Sequence, residues 1–342
     1  MISDLYYYHR LSKKNQILYK KIYDALVKME PSVSCFEPGL TADDITTIYK
    51  YLYWDNPYFF YLSGNGFRLE KNSLGLITFI PEYWFTKVEV VNITRKLELN
   101  VKNLIERTHI SPNDNDYTKI LKIHDLICQN VTYDTNTSSN DITTKEDIYA
   151  HTILGVLLKK TAVCSGISKA FKYILNAIGL RSIVITGIAD SCINDNDSSG
   201  HAWNIVKIDN SNVNIDLTWD VCLSEPHFTR YDYFCLSDYY FLKDHSPEIS
   251  DAPICAETKY DYYFSNRLEI SNDSELTDCI NTSINSVPAT LTYRINPTAD
   301  FDYLFVKGHD LVLDRLFALG CNGKIAHSLN ENQKVVTFFI TK

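Results

Sequence analysis

The sequence predicts an α+β protein, and three observations carry that expectation. Apolar residues recur at helical spacing through much of the first 130 positions. An amphipathic helix beginning near Cys164 leads into a short apolar strand and then two strands of a hairpin. From about residue 256 the pattern alternates strand, helix and strand.

Residues 11–29 read as a helix, with Leu18, Ile22, Leu26 and Met29 on one face. Thr41 followed by Asp43-Asp44 starts a second helix, carrying Ile45, Ile48, Tyr49 and Leu52, and Asp55-Asn56-Pro57 ends it. Phe59 to Gly66 reads as a strand and turn, and Thr78 to Pro81 and Lys87 to Asn92 as further strands. Two helices follow over 93–110 and 116–130, the second with Ile120, Ile123, Leu126 and Ile127 on one face. A polar loop fills 134–147, and helix resumes over 148–158.

After Val163-Cys164-Ser165-Gly166 come Ile167, Ala170, Phe171, Ile174, Leu175 and Ile178, the spacing of a helix packed on a core. Gly179 suits its C-terminal cap. Ser182 to Gly187 is a short apolar strand. His201 to Ile208 and Val213 to Trp219 read as a hairpin turning at Asp209-Asn210. In the tail, Leu268 to Ser271, the helix 274–285 and Leu291 to Ile295 form a β-α-β pattern. Helix 307–320 and strands 324–326 and 335–340 complete a small α/β module. The expected division is an N-terminal helical and strand region (1–110), a core (111–254) and a small α/β domain (255–342).

At 342 residues the chain is long enough for two or three domains. Its net charge of −9 argues against bulk binding to nucleic acid or to an anionic membrane. Nine scattered cysteines without a CxxC spacing make neither a zinc module nor a disulfide framework. The first ten residues lack a secretory signal pattern, and no run approaches the ~20 apolar residues of a membrane span. A cytoplasmic location is therefore expected.

The chemistry gathers at Cys164. A thiolate is a strong nucleophile when its pKa is lowered, and a helix start and a nearby imidazole both favour it. Cys164 stands at the first turn of its helix, His201 is the candidate base and Asp216 the candidate orienting acid. With the turn at Asp209-Asn210, Trp203 should face Asp216 and His201 should face Thr218. His201 and Asp216 would then be diagonal neighbours, roughly 7–8 Å apart between backbones. Val206, Ile208, Val213, Ile215 and Leu217 fill the opposite, core face. Trp203 and Trp219 become candidate residues of a substrate cleft, and the Cys164 backbone N–H is the natural first oxyanion donor.

Other patterns are weaker. Gly64-Asn65-Gly66 lacks the third glycine and following helix of a phosphate loop, and no H-E-x-x-H occurs. His124-Asp125 has no second ligand at helical spacing. The loop from Asp190 to Ser199 carries Asp190, Cys192, Asp195 and Asp197 out of EF-hand order. It reads as a solvated connector, with a lid over His201 as the sharper alternative. No metal or cofactor is expected.

Three blocks bear a family resemblance as a set: Ala162-Val163-Cys164-Ser165-Gly166, Gly200-His201-Ala202-Trp203-Asn204-Ile205-Val206, and Asn214-Ile215-Asp216-Leu217-Thr218-Trp219-Asp220. Together they resemble the transglutaminase-like superfamily, and most closely bacterial transglutaminase-core proteins assigned as cysteine peptidases. The resemblance spans about 118–246. It includes Lys122-Ile123-His124-Asp125, Asn130-Val131-Thr132-Tyr133-Asp134, Tyr233-Phe234-Cys235-Leu236-Ser237-Asp238 and Asp244-His245. Residues 1–110, with Asp55-Asn56-Pro57-Tyr58-Phe59-Phe60, resemble the helical extension that often precedes such cores. The resemblance implies a papain-like core with Cys164 as nucleophile, His201 as base and Asp216 as orienting acid. The chain departs from the family at Leu154-Gly155, Lys160-Thr161 and Ile167, positions that bear on the cleft wall and substrate preference.

The implied activity is acyl transfer from a protein or peptide amide through a Cys164 thioester. Water as acceptor makes a peptidase or amidase, and a lysine amine makes a cross-linking transglutaminase. Hydrolysis is favoured, since cross-linking also requires a groove that excludes water. A peptide-binding scaffold with an unused triad is the alternative of a different class.

Overall fold

A computed structural model describes residues 5–36, 39–137, 142–190, 198–321 and 323–341. The chain mixes helices and strands throughout. It forms two compact units: Met1–Ile185 with Ala202–Lys207, and Thr186–His201 with Ile208–Lys342.

The first unit opens with helices α1 (Tyr6–Arg10), α2 (Lys13–Lys28) and α3 (Ala42–Asp55). Asp55 ties them together. Its carboxylate accepts the backbone N–H groups of Tyr7 and Tyr8 and the hydroxyl of Tyr19. Thr41 and Asp44 form a reciprocal capping box at the start of α3. Strands β1 (Val33–Cys35), β2 (Phe67–Lys71) and β3 (Ile77–Pro81) form an antiparallel sheet in the order β1-β3-β2.

Two sequence expectations change here. Phe59 to Gly66 is not a strand but a chain of tight turns, with Phe59, Phe60, Tyr61 and Leu62 buried. The Tyr49 hydroxyl donates to the Ser63 carbonyl and helps hold it. Lys87 to Asn92 is not a strand but the opening of α4 (Lys87–Arg107). A capping box between Thr86 and Glu89 supplies the helix start and overrides the β-branched run at Val88, Val90 and Val91.

Helix α5 (Asp116–Asn130) and strand β4 (Thr132–Tyr133) follow, then α6 (Lys145–His151), a π-helical turn (Gly155–Lys159) and β5 (Thr161–Ala162). β4 and β5 pair in parallel. Helix α7 (Cys164–Ala177) buries Ile167, Ala170, Phe171, Ile174 and Leu175, the face its periodicity requires. Gly179 takes φ +82°, which glycine adopts without the Cβ penalty. The first part of β6 (Ser182–Asp190) and the middle of β7 (Ser198–Ile208) also lie in this unit. The amide of buried Asn204 donates there to the Ser168 carbonyl and the Ser182 hydroxyl.

In the second unit, the end of β6 pairs antiparallel with β9 (His245–Pro247). β7 turns at Asp209-Asn210, as expected, into β8 (Ser211–Ile215). That strand is shorter than the sequence suggested. Asp216 ends it and caps α8 (Leu217–Leu223), so Thr218 and Trp219 are helical. Helices α9 (Asp238–Phe241) and α10 (Tyr262–Ser265) lead into the C-terminal module. This comprises β10 (Glu269–Ile270), α11 (Asp273–Ser283), β11 (Ala289–Ile295), α12 (Phe301–Ala318), β12 (Lys324–Asn330) and β13 (Val335–Thr341). Its strand order is β10-β11-β13-β12, with β10 and β11 parallel and the other pairs antiparallel. The β-α-β unit read from the sequence is thus β10-α11-β11. Leu276, Ile280, Leu291, Tyr293, Val312, Leu316, Val336 and Phe338 form its core.

Among the described residues, no helix is long and apolar enough to cross a membrane, and eight cysteines are free thiols. Most of the loop before His201, including Cys192, lies outside the described residues.

Candidate active site

Cys164 is the first residue of α7, and it is partly exposed. The helix start is fixed by packing. Val163 donates its N–H to the Ala150 carbonyl, and Gly166 lies so close to α6 that a Cβ would collide with that same oxygen. Ser165 pairs its hydroxyl with Nδ1 of His151 at 3.0 Å. One turn further on, buried Lys169 sets its ammonium 3.1 Å from the centroid of the Tyr53 ring. Burial pulls the Lys169 pKa well below its ordinary value, and the negative charge that Cys164 can carry opposes this.

Trp203, a candidate cleft residue that falls in the first unit, is buried, at 1% exposed.

His201 and Asp216 come together in the second unit. His201 Nε2 lies 2.6 Å from Asp216 Oδ2, a charge-assisted distance. The His201 side chain is 9% exposed and Asp216 is fully buried. Asp216 has two jobs. Its Oδ1 accepts the N–H groups of Thr218 (2.9 Å) and Trp219 (3.3 Å) and so caps α8. Its Oδ2 accepts from His201 and also from His245 Nε2, at 3.1 Å. Burial alone would push this carboxyl up. The charge and hydrogen bond of His201, then those of His245, outweigh burial and hold it far below the usual carboxylate range.

Trp219 lies against this group. Its ring centroid is 5.6 Å from that of His201, 4.5 Å from that of His245 and 4.7 Å, edge-on, from that of Tyr233. Its capping contact and its ring packing both follow from its place in the first turn of α8.

Sequence reasoning did not assign a role to His245. The pairing is non-local, 29 residues from Asp216, and the block Asp244-His245 was its sole signal. The buried network continues from it. His245 Nδ1 faces Asp244 Oδ1 at 2.7 Å, and Asp244 Oδ2 accepts from the Tyr233 hydroxyl (3.0 Å) and the Gln333 amide (2.9 Å). Asn330 in turn donates to the Tyr233 hydroxyl and to Asp232, which holds Arg230 in a two-pronged ion pair.

Donor atoms of His201, Asp216 and His245 lie within 4.8 Å of one another, a spacing a cation could use. The contacts themselves are those of proton-sharing pairs, and the 2.6 Å contact is a charge-assisted hydrogen bond.

Residues 104–217 match the model of the transglutaminase-like superfamily. That segment contains Cys164, His201 and Asp216, and it is this part of the chain that is similar to the superfamily. Three solved structures are similar in part. A crystal structure of a TGase shares 17% identity over 56% of this chain and 51% of its own, at a TM-score of 0.32. A "putative cysteine protease" from Cytophaga hutchinsonii shares 18% over 44% of this chain and 61% of its own, at 0.26. A "putative protease" from Parabacteroides distasonis shares 11% over 82% of this chain and 63% of its own, at 0.25. Each match thus spans less than two thirds of the solved chain, and likenesses at these TM-scores add nothing to the family match. No curated protein matches the chain.

Proposed function

We propose that this protein is a cysteine enzyme that cleaves protein or peptide amides through a Cys164 thioester, with water as the favoured acceptor. The observation that carries the reading is the His201–Asp216 pair: a 2.6 Å hydrogen bond in a buried site, within a segment of the transglutaminase-like superfamily. The pair engages His201 through Nε2, and in this reading Nδ1 exchanges a proton with sulfur.

In the proposed reaction the Cys164 proton passes to His201 Nδ1 and Sγ attacks the amide carbonyl carbon. Asp216 offsets the imidazolium charge, and the backbone N–H of Cys164 at the start of α7 supports the oxyanion. Collapse expels the amine, which takes the proton from His201, and leaves the thioester. His201 then removes a proton from water, and hydroxide attack releases the acid and restores the thiol. A lysine amine in place of that water would give an isopeptide cross-link.

The test is brief alkylation of the folded protein with iodoacetamide across pH, with mass mapping of the label. Cys164 should react fastest near neutrality, and Cys164→Ala should remove both the fast label and turnover of a peptide library. Released acid or a new N-terminus supports hydrolysis, whereas a lysine adduct supports cross-linking. A Cys164 that reacts no faster than an unfolded-chain thiol overturns the enzyme reading in favour of a scaffold with an unused triad.

A further inference from the structure

The buried group contains a second imidazole that the proposed reaction does not use. His245 is fully buried, and its ring stacks on Phe241 with centroids 3.9 Å apart. An apolar side chain would fill this space without the cost of desolvating a polar ring between two carboxylates. The imidazole has a specific relation to its surroundings instead: one nitrogen faces the oxygen that His201 uses, and the other faces Asp244.

We propose that His245 is a positioning residue, which shares Oδ2 of Asp216 with His201 and thereby fixes the direction in which the His201 imidazole is held. The geometry carries this. Asp216 Oδ1 is already fixed by two backbone N–H groups of α8. A second donor on Oδ2 sets the remaining freedom, the rotation of the carboxylate plane. Asp244 fixes the His245 ring through the 2.7 Å contact between its Oδ1 and Nδ1, much as a carboxylate orients a metal-bound or catalytic imidazole. Asp244 is itself held by Tyr233 and by Gln333 of the β12–β13 turn. Thus the C-terminal module contributes to the orientation of the Asp216 carboxylate through Gln333, Asp244 and His245.

Among the described residues, the titratable groups seen against His245 include Asp216 at the β8–α8 junction, Asp244 beside it, Tyr233 from the segment before α9, and His201 from β7. Trp219 and Phe241 supply the apolar walls. Two donors on one oxygen compete for its charge. Removing His245 therefore shortens and strengthens the His201 hydrogen bond while releasing the carboxylate plane.

The inference rests on the catalytic reading only for its effect on rate, so the experiment has one arm that does not depend on catalysis. The variants are His245→Phe, which keeps the stacking, and His245→Gln, whose amide nitrogen can still donate to Asp216. Proton NMR follows the downfield His201 Nε2–H resonance. It should move further downfield in His245→Phe and return towards its original position in His245→Gln. Cys164 alkylation and peptide turnover should fall about 10- to 100-fold in the Phe variant, the scale of one hydrogen bond to a charged group. The loss should fall on kcat with KM nearly unchanged, and Gln should recover most of it. If the Phe variant does not fold, Asp244→Asn weakens the same support and should move the resonance by a smaller amount.

An unmoved His201 resonance in every folded variant overturns the proposal and makes His245 a packing residue. A moved resonance in a protein whose wild-type Cys164 is unreactive keeps the positioning role and overturns the catalytic reading alone.

Discussion

Replacing Asp216 by Asn tests the centre of the site, because the carboxylate's four acceptor contacts cannot all survive. Asp216 takes Thr218 and Trp219 N–H on one oxygen and two imidazole nitrogens on the other. Asn has one acceptor oxygen and one NH2 group. If its oxygen caps α8, the NH2 faces His201 Nε2, forcing that nitrogen to give up its proton and placing the proton on Nδ1. The ring is then the wrong tautomer to accept a proton from Cys164. If the oxygen instead faces the histidines, the NH2 opposes two backbone N–H groups and the α8 cap is lost, at about 1 kcal/mol. Neither orientation carries the charge that offsets an imidazolium.

A hydrogen bond to a charged group is worth about 1.5–3 kcal/mol, or roughly 10- to 150-fold in rate. The corresponding change in a serine-protease triad costs about 10⁴. A cysteine enzyme depends less on its base once the thiolate exists, so the expected loss of kcat/KM is at least about 10-fold, with neutral-pH alkylation of Cys164 falling in parallel. The assay pairs those two rates with circular dichroism, to show that the variant is folded. A folded Asp216→Asn protein with full turnover and unaltered thiol reactivity would refute the role of the His201–Asp216 pair.

Further outcomes follow from the same contacts. Cys164→Ala should abolish turnover and leave the thermal transition within a few degrees of the parent, since the side chain is partly exposed; retained turnover would rule out the thioester. Gly166→Ala should destabilise the first unit by about 1–3 kcal/mol or more in urea unfolding, because the new Cβ meets the Ala150 carbonyl at a place where backbone must move. Trp219→Leu should cost about 2 kcal/mol through lost contact with His245 and Tyr233 and should also slow turnover, which kinetics and unfolding measure separately. The folded Asp216 carboxyl lies below its unfolded value, so its ionisation stabilises the fold above about pH 4 and that contribution disappears as pH falls through the folded value. Wild type and Asp216→Asn should therefore differ in urea midpoint at neutral pH and converge in strong acid; a constant difference would contradict the assignment.

Local patterns settled much of this protein in advance. The face of α7 from Ile167 to Leu175 is buried as its spacing demands, because a helix of period 3.6 has one way to hide those residues. The Thr41 capping box, the turn at Asp209-Asn210 and the β-α-β order of the C-terminal module are likewise written within a few residues of one another. His201 and Asp216 were paired from sequence, although the reason changed. A longer β8 was expected to bring them together diagonally, whereas Asp216 closes the strand and serves as the cap of α8. The error at Lys87–Asn92 has the same origin: valines favour strands, but the Thr86–Glu89 box decided locally for helix.

What the sequence left undecided depends on contacts between distant segments. Nothing near Asp216 indicates that a second imidazole 29 residues away shares its oxygen, nor that Gln333, 89 residues from Asp244, steadies that imidazole's other partner. Those pairings exist because each buried polar atom needs a partner once water is excluded. Which partner reaches it is fixed by the packing of Phe241, Trp219 and the β12–β13 turn around the site, a three-dimensional outcome that no local spacing encodes.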